Sequence, residues 1–153
     1  MSFIIQPAQK TNLQEVCLLE KKSFLDPWPS VLFEQTLQNP DQKFYVLMRD
    51  DSVLGYIIFW KIVDEVHILN ICVDQTVQKQ GLCAKLLKFC LNYYPPQDVH
   101  DYYLEVRPSN RAAQALYKKF GFEILYTREK YYPDGEDAHV MCKHVGGSFN
   151  LPS

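Results

Sequence analysis

In Val66-His67-Ile68-Leu69-Asn70-Ile71-Cys72-Val73 both alternating sets of positions are largely apolar, the pattern of a central strand covered on both faces. Two strand-like runs precede it, Lys43 to Arg49 and Val53 to Ile62, joined by Asp50-Asp51 as a hairpin turn. Downstream the period changes to that of a helix. Leu82, Leu86, Cys90 and, one turn on, Tyr93 or Tyr94 form an apolar stripe that Pro95-Pro96 ends. Near the start, a strand-like Phe3 to Gln6 leads to a helical segment near Asn12 to Phe24, where Leu13, Val16, Cys17 and Glu20 share helical spacing. Asp26-Pro27-Trp28-Pro29 breaks it, and a short helix near Val31 to Gln38 stops at Asn39-Pro40. Tyr102 to Val106 reads as a further strand. Ser109 or Asn110 caps a helix to Phe120 with Gly121 as its terminating residue. Phe122 to Tyr132 and Asp137 to Lys143 flank Pro133-Asp134-Gly135-Glu136 as a long hairpin. The order β-α-α-β-β-β-α-β-α-β-β is that of a mixed α/β chain.

Composition narrows the class. At 153 residues with 47% hydrophobic content, the chain reads as one domain over residues 1–145 with a flexible tail at 146–153, where Gly146-Gly147-Ser148 begins. A net charge of -2 argues against a direct nucleic-acid binder, which carries a basic face. Five cysteines, an odd number without C-x-x-C spacing, fit free thiols in a reducing cytoplasm and suggest no metal site. Neither a signal nor a transit peptide is indicated at the N-terminus, and the run Val53 to Trp60 is far too short to span a bilayer.

The junction between the central strand and the helix at Leu82 carries the candidate chemistry. Gln78-Lys79-Gln80-Gly81-Leu82-Cys83-Ala84 places a glycine where a helix begins. A helix N-terminus has backbone N–H groups without intrahelical partners and a partial positive charge, so such a loop can wrap an anion. Gly also serves simply to turn a chain. A dinucleotide fingerprint needs two further glycines, and there is no Walker motif.

The spacing Gln-x-x-Gly-x-Cys-Ala resembles the Q/R-x-x-G-x-G/A signature of the GCN5-related N-acetyltransferases (GNAT), whose loop holds the pyrophosphate of acetyl-CoA. Ser109-Asn110-Arg111-Ala112-Ala113-Gln114-Ala115-Leu116-Tyr117-Lys118-Lys119-Phe120-Gly121-Phe122 is similar to a second element of that family, S-N-x-x-A-x-x-L-Y-x-x-x-G-F. With Pro27-Trp28, Asn70 to Asp74, Leu104 to Arg107, Tyr131-Tyr132-Pro133 and Glu136-Asp137-Ala138, the likeness runs from about Phe24 to about Cys142. It points to the bacterial ribosomal-protein alanine N-acetyltransferases within the family.

The resemblance implies an acyl-CoA N-acyltransferase fold: a central mixed, mostly antiparallel twisted sheet of about seven strands flanked by four helices. It implies acetyl-CoA as cosubstrate and the N-terminus of a small-subunit ribosomal protein as partner, acetylated on alanine in a ternary complex by a monomer or weak dimer. The family's general base matches Glu105 and its proton donor matches Tyr117. Ile71, Cys72, Val73, Lys79, Gln80, Gly81, Leu82, Cys83, Ala84 and Asn110 would hold the cosubstrate, with a backbone N–H near Ile71 to Val73 polarising the thioester carbonyl. Trp28, Tyr131 and Tyr132 would border the acceptor. An α-amino group titrates at about 7.7 to 8.0 and a free Glu at about 4.3, so proton removal needs burial or a relaying water. A phenol near 10 is a weaker acid than a thiol near 8.5, so Tyr117 is expected to hydrogen-bond the developing thiolate.

Other readings of these residues stay open. A structural reading of Glu105 pairs it with Arg107, two positions along the same strand face, or with solvent. Tyr117 lies in a stripe with Ala113, Leu116 and Phe120 and is also a core candidate; Trp28, Tyr131 and Tyr132 equally suit packing. His67 is an alternative base, though a lone His in a strand is more often structural. Cys83 lacks a His or Asp at recognisable spacing and is no acyl carrier. Asp26, Glu34, Asp64, Glu136 and Asp137 would supply an acidic rim, or simply a solvated surface. Two departures from the family matter: Cys83 and Ala84 replace a small and a basic residue of the signature, with Lys79 or Lys85 as compensation, and the turn Pro133 to Glu136 looks short. The acceptor therefore extends to another protein N-terminus, a lysine or a small amine, with a non-catalytic acetyl-CoA-binding module as the rival class.

Overall fold

A computed structural model describes residues 2–145; the proposed tail at 146–153 lies outside them. The elements run β1 (Ile4–Pro7), α1 (Leu13–Ser23), α2 (Ser30–Gln38), β2 (Gln42–Arg49), β3 (Ser52–Ile62), β4 (Glu65–Val73), α3 (Leu82–Leu91), β5 (Asp101–Val106), α4 (Arg111–Lys119), β6 (Glu123–Arg128) and β7 (Ala138–His144). The seven strands form one sheet in the order β1-β2-β3-β4-β5-β7-β6. The pair β4–β5 is parallel, whereas β1–β2, β2–β3, β5–β7 and β6–β7 are antiparallel. This is the mixed α/β architecture that the order of periodic segments anticipates. Among the described residues no helix is long and apolar enough to cross a membrane.

The described residues divide into two compact units, residues 2–60 with 69–91 and residues 61–68 with 92–145. In the first, the stripes of α1 and α2 and one face of β2 and β3 bury Val16, Leu19, Phe33, Phe44, Val46, Tyr56 and Ile58 in a common core. Phe33 meets Tyr56 edge-on at 5.8 Å between ring centroids. Gly55 allows a close backbone approach: a Cβ there would stand 2.7 Å from the Cys72 carbonyl oxygen. In the second, Tyr102, Leu104 and Val106 of β5, Tyr117 of α4, Phe122, and Val140 and Met141 of β7 are buried.

Three expectations need correction. Strand β4 is not covered on both faces: Val66, Ile68, Asn70 and Cys72 are buried, whereas Glu65, His67, Ile71 and Val73 are half-buried and Leu69 is exposed. The alternation is that of a strand with one covered face. Helix α3 stops at Leu91, before the tyrosines. The strand of the last hairpin stops at Arg128, because Lys130 takes a positive φ of 50° and its N–H turns to the Asp137 carboxylate at 2.9 Å.

Candidate active site

The loop between β4 and α3 is built to keep its backbone available. Asp74 accepts from the Thr76 N–H at 2.9 Å and Val77 is buried, which anchors a single 3-10 turn before the loop. Gln78, Lys79, Gln80 and Gly81 are all exposed. Lys79 and Gly81 both take left-handed conformations, with φ of 69° and 73°. Only Gly adopts this region without strain, and no atom lies within 4 Å of where a Gly81 Cβ would be. Leu82 then plants α3 in the core, and the first turn of the helix carries no acidic residue. Backbone amides at a helix start whose first turn holds no acidic residue suit a pyrophosphate. Lys79 and Lys85 are exposed beside it.

Cys83 and Ala84 are half-buried. Burial pushes the Cys83 thiol up to about 11, so it is no thiolate nucleophile at neutral pH. On β4, Ile71 and Val73 are half-buried, while the buried Cys72 donates from Sγ to Ser23 Oγ at 3.3 Å.

Glu105 projects from β5, opposite Val140 of β7, on the half-open face. Its side chain is 34% exposed, and Oε2 lies 3.0 Å from Arg128 Nε on β6. Arg128 also donates to the Tyr126 hydroxyl at 3.2 Å, and its guanidinium lies 5.6 Å from the Tyr131 ring centroid. The Tyr131 phenol is pushed above its ordinary value by burial first, then by the nearby Glu105 carboxylate. One expected acceptor residue thus stands beside the expected base. The partner of Glu105 recorded on this face is Arg128. Arg107 reaches the final hairpin turn, donating to Asp134 Oδ2 and Glu136 Oε1, each at 2.9 Å, with its guanidinium 4.0 Å from the Tyr132 ring centroid.

Those contacts lock the turn. The Ser109 N–H donates to Glu136 Oε2 at 2.8 Å. Both carboxyls are held below their usual range, Asp134 by the Glu136 N–H and then Arg107, Glu136 by Ser109 and then Arg107. Glu136 and Asp137 are therefore engaged within the chain, not displayed as a free acidic rim.

Tyr117 is buried on α4, its ring 6.0 Å from that of Phe122. Asn110 caps the same helix, its side-chain oxygen accepting from the Ala113 N–H at 3.2 Å. Trp28 is half-buried with its ring 5.2 Å from Phe33. His67 meets Glu65 at 3.2 Å and stacks on Tyr103 at 5.2 Å, a satisfied structural residue. Sequence reasoning passed over Glu20, a buried carboxyl that accepts from the Trp28 N–H at 2.9 Å. The available signal was a charged residue inside the α1 apolar stripe.

The model of the acetyltransferase (GNAT) family matches residues 13–122. The chain belongs to that family. A putative ribosomal protein bS18 alanine N-acetyltransferase of Bacillus subtilis is 35% identical, over 85% of this chain and 87% of its own. An N-alpha-acetyltransferase of Saccharolobus solfataricus is 29% identical over 92% of each chain. The crystal structure of the ribosomal-protein-S18-alanine N-acetyltransferase from Escherichia coli superposes with a TM-score of 0.88 at 31% identity, covering 99% of this chain and 100% of that one. The protein is an acetyl-CoA-dependent N-acetyltransferase with the open, mostly antiparallel seven-stranded sheet and four helices of this family.

Proposed function

We propose that the protein transfers the acetyl group of acetyl-CoA to the N-terminal alanine of a small-subunit ribosomal protein in the cytoplasm. The reaction runs by direct attack in a ternary complex within a single catalytic domain. The observation that carries this reading is the cluster on β5, β6 and the segment after β6, where a solvent-reachable Glu105 carboxylate stands among Tyr126, Arg128 and Tyr131. Relatives named for the bS18 alanine reaction, at 35% and 32% identity, support the acceptor.

In this reading the backbone amides of Gly81, Leu82, Cys83 and Ala84 bind pyrophosphate, with Lys79 and Gln80 at the rim. The amides of Ile71 to Val73 polarise the thioester carbonyl. Asn110 and Tyr117 share a helix face about 10 Å apart, from seven residues at 1.5 Å each, which suits the cosubstrate's arm. The acceptor ammonium gives its proton through water to Glu105. The neutral nitrogen attacks the thioester carbon, the C–S bond breaks, Tyr117 hydrogen-bonds the leaving thiolate, and the second proton shed by the new amide nitrogen passes through water to that thiolate. Trp28, Tyr131 and Tyr132 hold the acceptor's first residues.

A second reading, acetylation of other protein N-termini, draws on the archaeal N-alpha-acetyltransferases that match over 92% of this chain. Mass spectrometry of the ribosomal protein from a strain lacking this protein separates the two. Loss of its N-terminal acetyl group is expected, and unchanged acetylation contradicts the ribosomal acceptor.

A further inference from the structure

Glu20 occupies a position that sequence pattern assigns to an apolar side chain. It lies seven residues after Leu13 on the stripe shared with Val16 and Cys17, and only 2% of it is exposed. A carboxyl in such surroundings is costly unless its oxygens are satisfied. Here all the partners are donors. Oε1 accepts from the Tyr56 hydroxyl at 2.5 Å and from Asn70 Nδ2 at 2.9 Å, and Oε2 accepts from the Trp28 N–H at 2.9 Å.

The two oxygens hold different pieces of chain. Asn70 belongs to β4 and immediately precedes Ile71 to Val73, and Tyr56 belongs to β3. Trp28 lies between α1 and α2 in the run Pro27-Trp28-Pro29. Proline has no N–H, so that run offers a single backbone donor, and Glu20 receives it. The ring above that amide packs on Phe33 at 5.2 Å.

We infer that Glu20 is a positioning residue for acceptor binding, fixing Trp28 relative to the segment of β4 that follows Asn70. The inference rests on the reading of Trp28 as an acceptor-binding residue. Glu20 does not touch the reacting atoms. It sets where the acceptor's first residue is held, so its loss weakens acceptor binding while leaving cosubstrate binding intact.

The test compares Glu20→Gln, which keeps the shape but offers one acceptor oxygen to donors that occupy two, with Tyr56→Phe, which spares the Trp28 bond. Steady-state kinetics use acetyl-CoA and a peptide beginning with alanine. Glu20→Gln is expected to raise the peptide KM about fivefold, the equivalent of one net hydrogen bond. Its kcat and its KM for acetyl-CoA, and the peptide KM of Tyr56→Phe, are expected to stay within about twofold of the parent. Equal Tm losses in the two variants with an unchanged peptide KM, or a parallel rise in both KM values, overturn the inference. Acrylamide quenching of Trp28 in a Trp60→Phe background reads the same contact without catalysis, so it holds even where the wild type acetylates no peptide. Greater quenching in Glu20→Gln is expected, and unchanged quenching contradicts it.

Discussion

Arg128 Nε stands 3.0 Å from Glu105 Oε2, so the proposed base already holds a cation where the acceptor's ammonium must arrive. The two side chains are 46% and 34% exposed, and a pair open to solvent contributes only about 0 to 1 kcal/mol. An incoming ammonium therefore displaces the guanidinium at small cost. Arg128→Gln is expected to lower the peptide KM, by up to about fivefold, because the competitor is gone. An increase in KM identifies Arg128 as an acceptor ligand instead. Steady-state kinetics at fixed ionic strength distinguish the two.

Two glycines separate cosubstrate binding from folding. Gly81 has φ of 73° in open space, so Gly81→Ala strains the loop backbone by about 1–2 kcal/mol without a clash. The KM for acetyl-CoA is expected to rise about tenfold, with little change in Tm. Gly55→Ala brings a Cβ to 2.7 Å from the Cys72 carbonyl oxygen, and is expected to cost about 1–3 kcal/mol of stability. Thermal unfolding and acetyl-CoA titration of both variants check the contrast.

A third expectation concerns pH and stability. His100 and His144 both place Nδ1 on the Asp101 carboxylate, at 2.9 and 2.6 Å. The hydrogen bond to Asp101 raises the His100 imidazole above its ordinary 6.5, so its stabilisation is complete below that value and fades as pH rises through the raised one. Burial works against Asp101 ionising, yet the hydrogen bonds from the two imidazoles hold its carboxyl below 3.8. Its stabilisation is present above that value and is lost as pH falls through the lowered one. The wild type is expected to lose Tm as pH rises above about 6.5, and His100→Gln to lose less. Parallel profiles contradict this account.

Much of the architecture is legible in the sequence because local periodicity and tertiary packing agree. The α1 stripe, a cap of α4 at Ser109 or Asn110 and the Asp50-Asp51 turn are each visible in the sequence, and the fold places the cap at Asn110. What is not legible depends on which strands become neighbours. Arg107 faces Asp134 and Glu136, 27 and 29 residues away, and Glu105 faces Arg128, 23 residues away. Nothing in the spacing of Glu105 and Arg107 reveals that each has a partner in the final hairpin. The alternation of β4 misleads for a related reason: its second apolar face reads as covered, but in the fold only the face of Val66, Ile68, Asn70 and Cys72 is buried. Glu20 shows the reverse, a local violation of the apolar pattern that marks a buried polar contact.

Direct transfer to an N-terminal amine is tested by incubating the protein with acetyl-CoA and a peptide carrying the alanine-initiated N-terminus of ribosomal protein bS18. The same peptide with its α-amine blocked serves as control, and products are read by mass spectrometry. One acetyl group on the free peptide and none on the blocked one is expected. The rate should fall by about 10²–10⁴ in Glu105→Gln. Acetylation of the blocked peptide, or an undiminished rate in Glu105→Gln, contradicts the account.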